Sequence, residues 1–258
     1  MAQPPSPTPP ATTLTAVDLG RDVPYPHALN LQRAVQQQVI DGHRGPTLLL
    51  LEHAPAVTLT RRPGVADHLL ASPEQLATLG IAVHETDRGG DITYHGPGQL
   101  VAYPILPMRP LGLNLGRHMR LLEQAVVDTA ARFGITAHTE QGATGVWVDT
   151  PTTGSLRDPG SNQPAKLCAM GVRIRRNTTM HGLALNVTTH LPHFDTIVPC
   201  GLHQRPVTSL HALLGDACPS MPQVKSALRE QLAAATGLTP VAADPASLPD
   251  PSPIAPNP

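Results

Sequence analysis

The chain has 258 residues, a formal net charge of −1 and a pI of about 6.9, a length that suits one large or two small domains with ample core. A charge so near zero, with only three tyrosines, two phenylalanines and one tryptophan, argues against a nucleic-acid-binding domain, which needs a basic excess and stacking platforms. No run of 18 apolar residues and no basic segment leading into an apolar stretch is present, so neither a membrane span nor a secretory signal is predicted.

Proline accounts for 30 residues, and the distribution is uneven. Five lie in the first ten residues and six in the last fifteen. Such segments bury too little apolar surface to offset the entropy of ordering. The composition therefore predicts disordered tails at 1–12 and 239–258 around a single domain spanning 13–238.

Within the domain, Ala28, Leu31, Val35 and Val39 recur at helical spacing and Gly42 ends that helix. Leu48 to Leu51 reads as a buried strand. Ser72-Pro73-Glu74 starts a short helix that stops near Gly80. Ile81 to Glu85 and Leu100 to Leu106 read as strands, the second ending in prolines that suit a sheet edge. Asn114 caps a long helix with Leu115, Met119, Leu122, Val126, Ala130 and Phe133 on one face. Val146 to Val148, Leu167 to Ile174 and Leu183 to Val187 are later strands, with a polar insertion at 150–164 between the first two. Pro222 opens a last helix, with Val224, Leu228 and Leu232 inward and Gly237 at its end. Strands and helices without strict alternation predict an α/β (α+β) domain with a mixed β-sheet flanked by helices.

Three segments carry candidate chemistry. Asp87 to Gln99 packs Gly89, Gly90, Gly96 and Gly98 among polar side chains. These glycines permit positive φ and close approach of backbone to a ligand; a hairpin with two tight turns is the plainer reading. The segment lacks the spacing of a phosphate-binding loop. In Lys166 to Arg176, strand alternation places Lys166, Cys168, Met170, Val172 and Ile174 on one face. A lysine on a mainly apolar face is costly unless it is paired, functional or snorkelling at a strand end. Pro199-Cys200-Gly201 holds a cysteine in a turn, where nucleophiles tend to sit, whereas Cys168 inside a strand fits an inert core thiol. Cys218 gives no clear signal. Three cysteines without C-x-x-C spacing fit a reducing, cytoplasmic compartment. The thirteen histidines are scattered, and His190 and His193, with a proline between them, make no metal motif; no metal is predicted.

Taken together, RGGDITYHGPGQ (88–99), KLCAMG (166–171), HGLALNV (181–187), PCGL (199–202) and TSL (208–210) resemble the lipoyl(octanoyl) transferase family. Glu52-His53-x-Pro55 and Gly145 to Val148 also match. The family commonly has glycine where this chain has Thr60, and the 150–164 insertion and both tails are not general family features. The resemblance implies a fold shared with biotin and lipoate protein ligases. It implies an acyltransferase that needs no cofactor and moves an octanoyl or lipoyl group from acyl carrier protein to a lysine of lipoyl carrier domains, as the first step of protein lipoylation. The implied acceptors are the lipoyl domains of 2-oxo-acid dehydrogenase complexes and the glycine-cleavage H protein. It further implies Cys200 as the thioester-forming nucleophile and Lys166 as its partner. Arg88, Gly89, Gly90, Asp91, Ile92, Thr93, Tyr94, His95, Ala169, Met170, Gly171, Gly182, Leu183 and Ala184 are the implied acyl-site residues.

The chemistry is coherent with those roles. Free cysteine near pH 7 is only a few per cent thiolate, and a neighbouring ammonium favours the thiolate. Once acylation consumes that thiolate, the lysine loses its counter-charge and can take the proton of an incoming amine. Glycines near 171 and 182 leave room for backbone N–H groups to face an oxyanion. Arg61, Arg62, Arg173, Arg175 and Arg176 are candidates to attract an acidic carrier. An ATP-dependent lipoate or biotin-type ligase shares the implied fold but needs phosphate-binding elements that the sequence lacks. A non-catalytic acyl-carrier-binding module would not need the Cys200 and Lys166 pair.

Overall fold

A computed structural model describes residues 12–149, 164–198 and 205–251. The insertion, except Pro164, and nearly all of the first tail lie outside the described residues. The core is an eight-stranded mixed sheet. Its strands are β1 (Thr13–Asp18), β2 (Thr47–Leu51), β6 (Gln99–Ile105), β7 (His138–Glu140), β8 (Ala143–Val148), β9 (Ala165–Arg175), β10 (Thr178–Asn186) and β11 (Thr239–Ala243), in the order β11-β1-β2-β6-β10-β9-β8-β7. β1 runs parallel to β2 and β11, and the remaining neighbours are antiparallel.

Side-chain parity sorts the central strands into two cores. Leu48, Leu50, Leu100 and Ala102 face α3 (Leu115–Arg132) and α5 (Met221–Thr236), packing with Leu122, Val126, Val224 and Leu228. Leu49, Leu51, Val101 and Tyr103 face α1 (Tyr25–Ile40) and pack with Ala28, Leu31, Val35 and Val39. A strand buried on both faces has to read as an uninterrupted apolar run, and β2 does. Each fully buried leucine contributes on the order of 1.5–3 kcal/mol. A second sheet, β4 (Ala82–Thr86), β3 (Ala56–Thr60) and β5 (Thr93–His95), buries Val57, Ile92 and Tyr94 against Leu76 of α2 (Pro73–Thr78) and against Phe194 and Ile197.

Four sequence expectations are corrected. First, β6 is central, bonded to β2 and β10. Its Pro104 is tolerated because β10 leaves the ladder there: β6 and β10 pair only over 99–102 with 183–186. Beyond that point the Thr179 hydroxyl bridges the gap, donating to the Pro104 carbonyl at 2.7 Å and accepting from the Leu106 N–H at 2.9 Å. Second, the fold continues past residue 238. β11 pairs with β1 from Thr13↔Thr239 to Val17↔Ala243, and Pro240 is accommodated because this is an edge strand. Third, the inward face of α3 is centred on His118, Leu122, Ala125 and Thr129, while Leu115 is 53 % exposed. Two polar side chains in that stripe obscured its phase. Fourth, Lys166 and Cys168 do not share a face, for a reason that lies in the site.

Candidate active site

Lys166 is turned away from the helix-covered core by a bulge. Trp147 pairs with Lys166 and Val146 with Cys168, so two consecutive β8 residues oppose positions 166 and 168 and Leu167 is the extra residue. Val146 and Cys168 join the α3/α5 core. Lys166 goes the other way, with Nζ 4.6 Å from the centre of the Trp147 ring. Gly145 lets the ladder close beside it: at φ +124°, a Cβ there would lie 2.5 Å from the Cys168 carbonyl oxygen, whereas Lys166 Cε, at 3.5 Å, would be in ordinary contact. The backbone of Lys166 is fixed from both sides, its N–H donating to the Pro206 carbonyl at 2.8 Å and its carbonyl accepting from Thr208 at 2.9 Å.

Two adjoining cavities share Thr93, Ala169 and Ala184. The smaller, about 270 Å³, is lined also by Lys166, Gln99, Asn186, Phe194 and Val207. The larger, about 470 Å³ and open on one side, runs along the β9–β10 ladder, with Tyr25, Arg88, His95, Tyr103, Gly171 and His181 in its wall. Gly90, Asp91, Met170, Gly182 and Leu183 also border it. Of the fourteen residues implied for the acyl site, Gly89, Ile92 and Tyr94 are not in its wall. Ile92 and Tyr94 turn the other way, into the small-sheet core, because alternate residues of an extended segment face opposite sides. Gly89 holds the 88–90 loop to β9, its N–H donating to the Val172 carbonyl at 2.9 Å.

Gly171 and Gly182 do not leave open space. A Cβ on Gly171 would lie 2.5 Å from the Gly89 carbonyl oxygen, and one on Gly182 would lie 2.2 Å from the Ala102 carbonyl oxygen and 2.7 Å from Pro104 Cδ. These glycines let the cavity walls approach each other. Thr60 ends β3 and donates to the Gly90 carbonyl at 3.1 Å, while the Arg88 guanidinium donates to the carbonyl and hydroxyl oxygens of Thr58 at 3.1 and 3.0 Å. Residues 58 and 60 thus brace the 88–90 loop.

A hydrogen-bond chain links His95 to the backbone of Lys166. Gln99 Nε2 donates to the Tyr94 carbonyl at 3.2 Å and to Asn186 Oδ1 at 3.0 Å, and Asn186 Nδ2 donates to the Thr208 carbonyl at 2.9 Å. The two carbonyls fix both amide orientations, so Gln99 Oε1 accepts from His95 Nδ1–H at 2.7 Å. That leaves His95 Nε2 as an acceptor, and burial holds its imidazole neutral, with its titration well below the usual range.

Sequence reasoning missed Tyr25 and Tyr103, whose rings gather with those of His53 and His95 at the larger cavity. The Tyr25 ring centre lies 5.3 Å from that of His53 and 6.1 Å from that of His95, and Tyr103 lies 6.0 Å from His53. His53 donates through Nδ1 to the Val23 carbonyl at 2.9 Å and accepts at Nε2 from the Tyr103 hydroxyl at 2.7 Å; burial lowers its titration to about 4. Neighbouring Glu52 accepts from the Gly98 N–H at 2.7 Å and so holds the left-handed turn there. In the cavity wall, His181 sits at φ +61°, conformationally costly for a non-glycine residue. Its N–H donates to Gln32 Oε1 at 2.9 Å, and its Nε2–H donates to Asp87 Oδ1 at 2.7 Å. Asp87 also pairs with Arg173, and with Arg33 at 3.5 Å. His181 and the arginines hold its carboxyl below the usual carboxylate range against the opposing effect of burial. Of the arginines considered for carrier attraction, Arg173 is drawn to Asp87, Arg175 to Gln37 and Arg61 to Glu85.

Cys168 is fully buried, and burial pushes its thiol far up; Cys218 is half-buried and also raised. Neither is poised as a nucleophile at neutral pH. Cys200 lies outside the described residues. Among the described residues, no three His, Cys, Asp or Glu side chains gather as a metal site, and no helix is long and apolar enough to cross a membrane.

The catalytic-domain profile of lipoyl protein ligase A/B matches residues 24–233, and the chain belongs to that family. The fold agrees with solved structures at low sequence identity. A bi-partite lipoate protein ligase from Thermoplasma acidophilum superposes with a TM-score of 0.67 at 13 % identity, covering 90 % of this chain and 87 % of that one. Lipoate-protein ligase A bound with ATP gives 0.67 at 17 %, covering 91 % and 89 %. Sequence places the chain more narrowly, among the octanoyltransferases of the family. It is 44 % identical to the octanoyltransferase of Chloroflexus aggregans over 230 residues, 89 % of this chain and 97 % of that one. It is 45 % identical to that of Acidobacterium capsulatum over 204 residues, 76 % of this chain and 79 % of that one.

Proposed function

We propose that the protein is an acyltransferase that moves an octanoyl group from the thioester of a carrier protein to a lysine amine of a lipoyl carrier domain. Cys200 is the nucleophile and Lys166 its partner. The observation that carries the reading is the bulge at Leu167, which sets a buried lysine in the wall of a cavity adjoining a larger, mostly apolar one. Chain connectivity supports the pairing. Cys200 is six residues from Pro206, whose carbonyl accepts the Lys166 N–H, and six residues reach at most about 20 Å.

The Lys166 ammonium favours the Cys200 thiolate. The thiolate attacks the donor thioester, Lys166 gives its proton to the departing carrier sulfur, which leaves as the thiol, and the octanoyl chain lies in the larger cavity. The acceptor amine then attacks the new thioester, Lys166 takes the proton, and an amide forms as the Cys200 thiolate departs. Amide formation from a thioester is downhill, so the reaction needs no nucleotide. The donor is octanoyl-acyl carrier protein, the acceptors are the lipoyl domains of 2-oxo-acid dehydrogenase complexes and the glycine-cleavage H protein, and the setting is the cytoplasm. Incubating the protein with octanoyl-acyl carrier protein and an apo lipoyl domain in nucleotide-free buffer tests the reading. Octanoylated domain is the expected product; product only after ATP and free octanoate are added would identify a ligase instead.

A further inference from the structure

Trp147 is the only tryptophan of the chain and is fully buried, yet two cations lie against its ring. Lys166 Nζ is 4.6 Å from the ring centre and Arg205 Cζ is 4.1 Å from it. Both distances fall within the range where the ring quadrupole attracts a cation, and the attraction is largest where water is excluded. The ring is itself oriented: the indole Nε1–H donates to the Ala143 carbonyl at 2.9 Å, within the same strand. Arg205 is held from a second direction by Glu140 of β7, at 2.5 Å, so its charge is balanced within the group. The β8–β9 bulge brings Trp147 and Lys166 into register.

We infer that Trp147 is a positioning residue for the transfer reaction: its π face holds the Lys166 ammonium at the head of the acyl cavity, and Arg205 and the Ala143 carbonyl hold the indole. The inference rests on reading Lys166 as catalytic. A flexible four-carbon stem gives a lysine many rotamers, and a catalytic group misplaced by about an ångström loses on the order of 100-fold in rate. An oriented indole face restricts the ammonium to one place.

The sole tryptophan makes the geometry directly observable. In the full-length protein, Lys166→Met should change the intensity and wavelength of tryptophan emission at an unchanged melting temperature, because a charge leaves the indole face. Identical emission would overturn the placement of the ammonium on the ring. Activity then tests positioning. Trp147→Phe keeps a π face and should retain kcat within about threefold. Trp147→Leu removes the π face and should lower kcat about 10- to 30-fold, with donor KM within about twofold. The leucine variant should also move the rising limb of the acylation pH profile to higher pH. Wild-type kcat and pH profile in the leucine variant overturn the inference, as does an equal fall in the phenylalanine and leucine variants that tracks melting temperature. Should the leucine variant not fold, the Lys166→Met emission and the phenylalanine variant still decide. An inactive Lys166→Met beside a fully active Trp147→Leu removes the positioning role alone, whereas a fully active Lys166→Met removes both it and the catalytic reading.

Discussion

Lys166 and Cys168, separated by one residue in β9, point to opposite faces of the sheet because Leu167 is bulged between them. The lysine enters the site and the thiol enters the core. Cys168→Ala should therefore cost about 1–2 kcal/mol of stability and leave transfer nearly intact. Lys166→Ala should fold normally and lose transfer by orders of magnitude. Lys166→Arg should stay inactive, since a guanidinium does not give up a proton near neutral pH. Initial-rate assays beside melting curves check all three, and an arginine variant with near-normal turnover would exclude proton transfer by residue 166.

Gly182→Ala should break the joint between β6 and β10. The added Cβ meets a backbone oxygen at 2.2 Å and a proline ring at 2.7 Å, neither of which can swing away. A loss of several kcal/mol is expected, at the upper end for a single substitution. Gly171→Ala pushes against the Gly89 carbonyl and should act more on donor KM, through the displaced 88–90 loop. Denaturant melts and steady-state kinetics separate the two outcomes, and an alanine at 182 with wild-type stability would contradict the packing described.

Stability should fall steeply on acidification. Burial lowers the titration of His53 and of His118 to about 4, against about 6.5 in an unfolded chain. The unfolded state therefore binds more protons between those values. The stabilisation is complete above about pH 6.5 and is lost as pH falls toward 4, at up to about 1.4 kcal/mol per pH unit for each group. His118 has a further cost, since neither of its ring nitrogens has a hydrogen-bond partner among the described residues. His118→Leu should raise the melting temperature and flatten the acid slope. A lower melting temperature at pH 7 for this variant would show that the imidazole is satisfied after all.

Chain length should be read by the larger cavity. Each buried methylene is worth about 0.8 kcal/mol, so shortening octanoyl to hexanoyl should cost about 15-fold in kcat/KM if both methylenes are buried in the transition state. Competition of hexanoyl, octanoyl and decanoyl carriers for one acceptor measures it. Equal use of the first two would mean that the tail is not enclosed.

Removing residues 239–251 should lower the melting temperature by several degrees, because it strips β11 from β1 and exposes a sheet edge. An unchanged melting temperature would make β11 dispensable.

The sequence made most of the frame legible. A continuous apolar run marked β2, residues 183–187 marked only the second half of β10, and caps at Asn114, Gly42 and Gly237 bounded the long helices. What it hid has physical causes. The bulge at Leu167 is a register event between two strands, invisible in the alternation of one. β11 was masked by prolines that an edge strand tolerates. Tyr25 and Tyr103 reach the site from elements read only as core, because one apolar face can bury a helix and line a cavity at once. Thr60 and Glu52 act through backbone bonds to Gly90 and Gly98, contacts that local patterns do not encode.

Mass spectrometry of the protein after mixing with octanoyl-acyl carrier protein tests the central claim most directly. The account predicts one octanoyl group in thioester linkage at Cys200, absent from Cys168 and Cys218, that disappears when an apo lipoyl domain is added and reappears as an amide on the acceptor lysine. An adduct on another residue, or amide formation by a Cys200→Ser variant at the wild-type rate, would contradict it.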